Sequence, residues 1–96
     1  MSTEFENELS EIQAFIAKGG EASEWFAKAY ASWYWVTDFW QINLNGYESL
    51  DNGNKRLFVR MLNLRGLTGW TDSALYKLAV FAVEEWNLLP IQKGAA

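Results

Sequence analysis

Twelve carboxylates, eight lysines and arginines and four tyrosines carry the side-chain ionisable chemistry of this chain, which has no histidine and no cysteine. Without imidazole the commonest general base and transition-metal ligand is missing. Without thiols there are no disulfides, thiolate metal sites or cysteine nucleophiles. The acids gather at the start, where Glu4, Glu6, Glu8, Glu11, Glu21 and Glu24 face Lys18 alone. Glu4, Glu8 and Glu11 recur at i, i+4, i+7, which on a helix makes one stripe. That stripe, continued by Glu21 and Glu24, could meet a basic protein surface or imitate the charge spacing of a nucleic-acid backbone. Its ordinary alternative is a solvated helix face that aids solubility. No local carboxylate spacing demands acid/base work, and Glu84 and Glu85 point along different helix faces. Asp51-Asn52-Gly53-Asn54 starts like a calcium loop, but its twelfth position is Leu62 rather than Glu. There is no glycine-rich phosphate loop. The expectation is a chain without catalytic activity, cofactor or metal.

The basic residues form a counterpart segment, Lys55, Arg56, Arg60 and Arg65, with no acid between Asn52 and Gly66. Four cations in a chain of net charge −4 and pI near 4.7 make a weak phosphate-binding surface. Direct nucleic-acid binding through this segment is therefore a lesser alternative. Pairing with the glutamates of the first helix, or simply lying in solvent, is the plainer role.

The third constellation is aromatic. Eight of the sixteen residues from Trp25 to Trp40 carry rings, including four of the six tryptophans. Trp25, Phe26, Ala29, Tyr30 and Trp33 follow the spacing of a buried helical stripe, with alanines keeping the backbone helical between the rings. Tyr34, Trp35 and Trp40 cannot all share that face, so at least one is expected at the surface. Trp and Tyr are the residue types enriched at binding hot spots. In a 96-residue chain they also supply the core density that a small domain needs.

The elements that position these groups read as all-α, a compact bundle of four main helices plus one short connecting helical turn, in a single domain over residues 1–96. Helices are expected near 4–18, 22–36, 50–65 and 72–88. Thr3 and Glu6 form a capping box, Gly19-Gly20 closes the first helix with Gly19 left-handed at its end, and Pro90 ends the last one before a fraying tail, 90–96. The second helix should be central, with Trp33 in the core. Thr37-Asp38 opens the connecting turn with Phe39, Trp40 and Ile42, and Asn43-Leu44-Asn45-Gly46 is a loop. Helix three carries Leu50, Leu57, Phe58, Met61, Leu62 and Leu64. No apolar run spans a membrane and no basic leader precedes the first helix, so the expected location is cytoplasmic.

From Ile16-Ala17-Lys18-Gly19-Gly20 to Trp40 the order is an amphipathic helix ending in glycine, an aromatic helix ending Ala-Ser-Trp-Tyr, and a Thr-Asp-Phe-Trp connector; a further helix with Met61 follows. Over roughly residues 12 to 65 this resembles a family of small uncharacterised helical domains from plasmids and phage-related regions. The resemblance implies a mobile-element setting and no catalytic residue; by size and charge alone the chain is also anti-CRISPR-like. The expectation is a non-catalytic protein-binding module. Its sharpest form is a stoichiometric inhibitor of a host nucleic-acid-handling complex, meeting a basic partner surface through Glu4, Glu8, Glu11, Glu21, Glu24, Tyr34, Trp35 and Trp40. No direct nucleic-acid or membrane contact is expected, and the chain should be a monomer or homodimer. The alternative is a structural or homo-oligomerisation domain that buries its surplus aromatics.

Overall fold

The computed structural model describes residues 3–36 and 40–88, and within them the chain is all-α. Four helices, α1 (Glu4–Lys18), α2 (Glu21–Trp35), α3 (Asn52–Leu62) and α4 (Asp72–Trp86), are joined by two 3-10 segments, Leu44–Ser49 and Leu64–Gly66. The bundle is flattened, 35 × 34 × 20 Å. Helix α4 stops at Trp86, ahead of the end expected at Pro90, because left-handed Asn87 caps it by donating its backbone N–H to the Val83 and Glu84 carbonyls. Pro90, the tail 90–96 and the Thr37-Asp38-Phe39 part of the connector lie outside the described residues.

Local signals set the boundaries. Thr3 Oγ1 accepts the Glu6 backbone N–H at 3.0 Å while Glu6 Oε1 accepts that of Thr3 at 3.1 Å, completing the capping box. Asp51 and Thr71 cap α3 and α4 by accepting from the backbone N–H groups of Asn54 and Ala74. Gly19 and Gly20 both turn the chain at φ near +100°, with ψ of 159° and 167°. That is a glycine-only extended region rather than the left-handed cap expected at Gly19. The sharp reversal leaves carbonyls of the last α1 turn without helical partners. Buried Ser23 donates to the Phe15 carbonyl at 2.7 Å, and the Trp86 indole N–H donates to that of Ile16 at 2.8 Å.

Helix α2 is the centre, touching α1, α3, α4 and the first 3-10 segment, most extensively α4. Phe26, Ala27, Tyr30 and Ala31 are fully buried and meet Ile12 and Ile16 of α1, Met61 of α3, Leu64, and Leu75, Ala79 and Val83 of α4 in one cluster. Alanine at four α2 positions lets neighbouring helices approach closely, and the large rings fill what remains.

Four further expectations change. Trp33 lies at the rim of the core, half-buried, because the fully buried stripe of α2 runs through Phe26, Ala27, Tyr30 and Ala31. Trp40, expected among the surplus rings, is 7% exposed and donates its indole N–H to the Leu88 carbonyl at 3.1 Å. Helix α3 ends at Leu62, three residues early, because the Asn63 side chain donates to the Val59 carbonyl and the chain tightens into Leu64–Gly66; Leu62 is left exposed. The helical connector lies at Leu44–Ser49, where a loop was expected, while Trp40 to Asn43 is non-helical. Trp25 fixes that segment, its indole N–H donating to the Asn43 carbonyl at 2.8 Å while its ring packs against Gly46, where a Cβ would overlap the indole.

Candidate binding surface

The Glu stripe of α1 faces α3. Arg60 Nε donates to Glu8 Oε1 at 2.9 Å and its Nη2 to Glu11 Oε2 at 3.1 Å, so one guanidinium ties two of the three acids. Glu8 is 8% exposed and buried against the bundle, and its hydrogen bond holds the Arg60 guanidinium above its ordinary pKa. Glu8 therefore serves the fold and is closed to a partner; Glu11 is shared. Glu4 is exposed on the same flank. At the start of α2, Glu21 is exposed and Glu24 pairs with Lys28 at 3.5 Å, an i,i+4 pair worth ~0.3–0.5 kcal/mol.

The basic segment does not act as a unit either. Tyr47, Asn52, Lys55, Arg56, Val59 and Arg60 line an open groove of about 470 Å³. Lys55 lies over the Tyr47 ring and 3.8 Å from Glu48, and Arg60 is committed to α1. Lys55 and Arg60 are each paired with a carboxylate, which leaves Arg56 as the one groove cation without an ion pair among the described residues.

The rings at the end of α2 assemble differently. Trp33, Tyr34 and Trp35 are half-buried; Tyr76 of α4 joins Tyr34 and Trp35, while Trp33 packs on Tyr30. Tyr34 and Trp35 meet edge to face at 5.3 Å, Trp35 lies 5.9 Å from Trp40, and Tyr76 is 6.3 Å from both Tyr34 and Trp35. Such geometry fixes ring orientation as well as burying area. Arg65 lays its guanidinium over Trp33, 4.4 Å from the ring centroid. The Tyr34 hydroxyl lies 3.1 Å from both Asp72 carboxylate oxygens. Burial, and then the bond to Asp72, push the Tyr34 phenol above its ordinary pKa, with Arg65 opposing.

Val36 follows directly, 85% exposed, in the left-handed conformation at φ 52°, ψ 55°. A β-branched residue is strained there, where glycine would be free of strain. Of the sequence-predicted contact residues, then, Tyr34 and Trp35 are brought together at an open face, Trp40 buttresses them from the core, and Glu8 is withdrawn. Tyr76, Asp72 and Arg65 were missed as members of this face. Asp72 and Tyr76 are one helical turn apart, which signalled a shared face, but the seat of Arg65 depends on packing between α2 and a segment 30 residues away. Among the described residues no helix is long and apolar enough to cross a membrane. No protein-family model, curated protein or solved structure matches this chain.

Proposed function

We propose that this chain is a non-catalytic protein-binding module that holds its partner through the aromatic end of α2. Trp33, Tyr34, Trp35 and Tyr76 form the contact, and net charge −4 favours a partner with a basic surface. In its sharpest form the module is a stoichiometric inhibitor of a host nucleic-acid-handling complex, of the kind mobile elements carry. One observation carries the reading. With a continuous core already built from α1, α2, α3 and α4, the chain still holds four large amphipathic rings half-open at one place. Trp, Tyr and Arg dominate hot spots because they combine large area with little flexibility to lose. Val36 adds to it, since exposed β-branched strain of roughly 1–2 kcal/mol is tolerated at a position where fold alone would select glycine.

The test is affinity capture from an extract of the source cells, comparing the parent with Trp35→Ala and with the double variant Glu4→Lys/Glu11→Lys. A specific protein held by the parent and by the double variant, and lost with Trp35→Ala, is the expected result. Loss with the charge reversals alone would return the contact to α1. Sedimentation of the purified chain provides the second arm: a dimer abolished by Trp35→Ala would replace this reading with self-association.

A further inference from the structure

Arg60 and Arg65 are held in opposite ways. Arg60 is bonded to two carboxylates, whereas no ion pair among the described residues involves Arg65, which rests on the rings of Trp33 and Tyr34 at 4.4 and 5.9 Å. A guanidinium over an aromatic face is attracted by the ring quadrupole, and its planar, weakly hydrated form stacks there better than an ammonium does. A carboxylate lies at the edge of the same seat, since Asp72 accepts from the Tyr34 hydroxyl. Arg65 itself is exposed and stands on the three-residue turn Leu64–Gly66, anchored below by fully buried Leu64. It can leave the rings without disturbing that anchor.

We propose that Trp33, Tyr34 and Asp72 form a guanidinium-binding seat, filled by Arg65 in the free chain and taken over by an arginine side chain of a basic protein partner on binding. This rests on the reading that the aromatic end of α2 is the contact surface, and it names the chemistry recognised there. The occupant is argued from the molecule: Arg65 demonstrates that a guanidinium fits the rings, Asp72 supplies the complementary charge, and the net charge of −4 draws cationic segments toward the chain. Arg65 acts as a tethered competitor, lowering apparent affinity by the fraction of time it occupies the seat.

The probe is the peptide Gly-Arg-Gly-Arg-Gly, titrated into isotopically labelled parent and Arg65→Ala chains, with the lysine and glutamate versions as comparisons. Arg65→Ala should bind the arginine peptide about tenfold tighter than the parent, with resonance shifts centred on Trp33 and Tyr34. The lysine peptide should bind more weakly and the glutamate peptide should not respond. Adding Asp72→Asn should remove most of the gain, and Arg65→Lys should give an intermediate affinity. Equal affinity of parent and Arg65→Ala overturns the proposal, as does an equal gain for the glutamate peptide or a response confined to the α1 glutamates. The titration uses no natural partner, so it can fail while capture through Trp35 holds, and the reverse.

Discussion

Two charged and aromatic surfaces were candidates for recognition, and they differ in what the fold has already done with them. On the α1–α3 flank, Glu8 and Glu11 share the one Arg60 guanidinium within the chain, so much of the acidic stripe is consumed in holding two helices together. At the end of α2, Tyr34, Trp35 and Tyr76 contact one another and Arg65 bridges Trp33 to Tyr34, yet all four rings remain part-open. A stripe of like charge on a helix is informative only until an opposite charge is found across from it. The ring cluster spends only its inner side on the core and leaves the outer side open.

The largest expected effect sharpens the difference between two neighbouring rings. Trp40→Ala should cost ~3–5 kcal/mol, because it empties a buried site and removes the bond to Leu88. Trp35→Ala should cost only ~1–2 kcal/mol, since part of that ring is already in water. Denaturant unfolding of both variants measures this, and equal losses would erase the distinction between core and surface aromatics. Glu8→Gln comes next at ~1–2 kcal/mol, from a charged hydrogen bond to a half-exposed arginine. Glu11→Gln, with its carboxylate 60% exposed, should move stability by less than ~0.5 kcal/mol. A Glu4, Glu8 and Glu11 reversal to Lys is consequently destabilising, contrary to the behaviour of a purely solvated stripe, so only Glu4 and Glu11 suit binding tests.

Two further effects concern Val36 and Tyr30. Val36→Gly should raise stability by about 1 kcal/mol by relieving the left-handed strain, while removing an exposed apolar group from the proposed contact. Tyr30 is fully buried with its hydroxyl donating to the Leu75 carbonyl at 2.7 Å, and burial raises its phenol pKa well above the ordinary 10.0. The unfolded chain then loses this proton first as pH rises, so the folded state binds more protons above pH 10 and its stability falls with increasing pH. Stability present below that point should decline through the alkaline range, and Tyr30→Phe should flatten the slope; an unchanged slope would remove Tyr30 from the explanation.

Helix existence was legible because local signals agreed: the Thr3–Glu6 box, Gly19-Gly20 and the apolar period of α4 each specify their element without help from elsewhere. Trp33 and Trp40 were not legible. Consecutive rings on α2 fill every face, and which face becomes the core is decided by where α4 packs and where the chain after Val36 returns. Trp40 reaches Leu88 across 48 residues, a pairing that no local spacing encodes. Arg60 was the intermediate case: a role with the α1 glutamates was foreseeable from charge alone, but only packing makes Glu8 a buried anchor.

The central claim is that recognition belongs to the aromatic end of α2 and not to the α1 stripe. The most direct measurement places a benzophenone side chain at Val36, just past the end of α2, in one sample and at Glu4, the first residue of α1, in another, both exposed positions. Irradiation in an extract of the source cells, followed by mass spectrometry of the adducts, reads out which surface meets a partner. The account predicts one dominant protein adduct from position 36, suppressed by Trp35→Ala, and none of comparable yield from position 4. A dominant adduct from position 4, with position 36 silent, would contradict it.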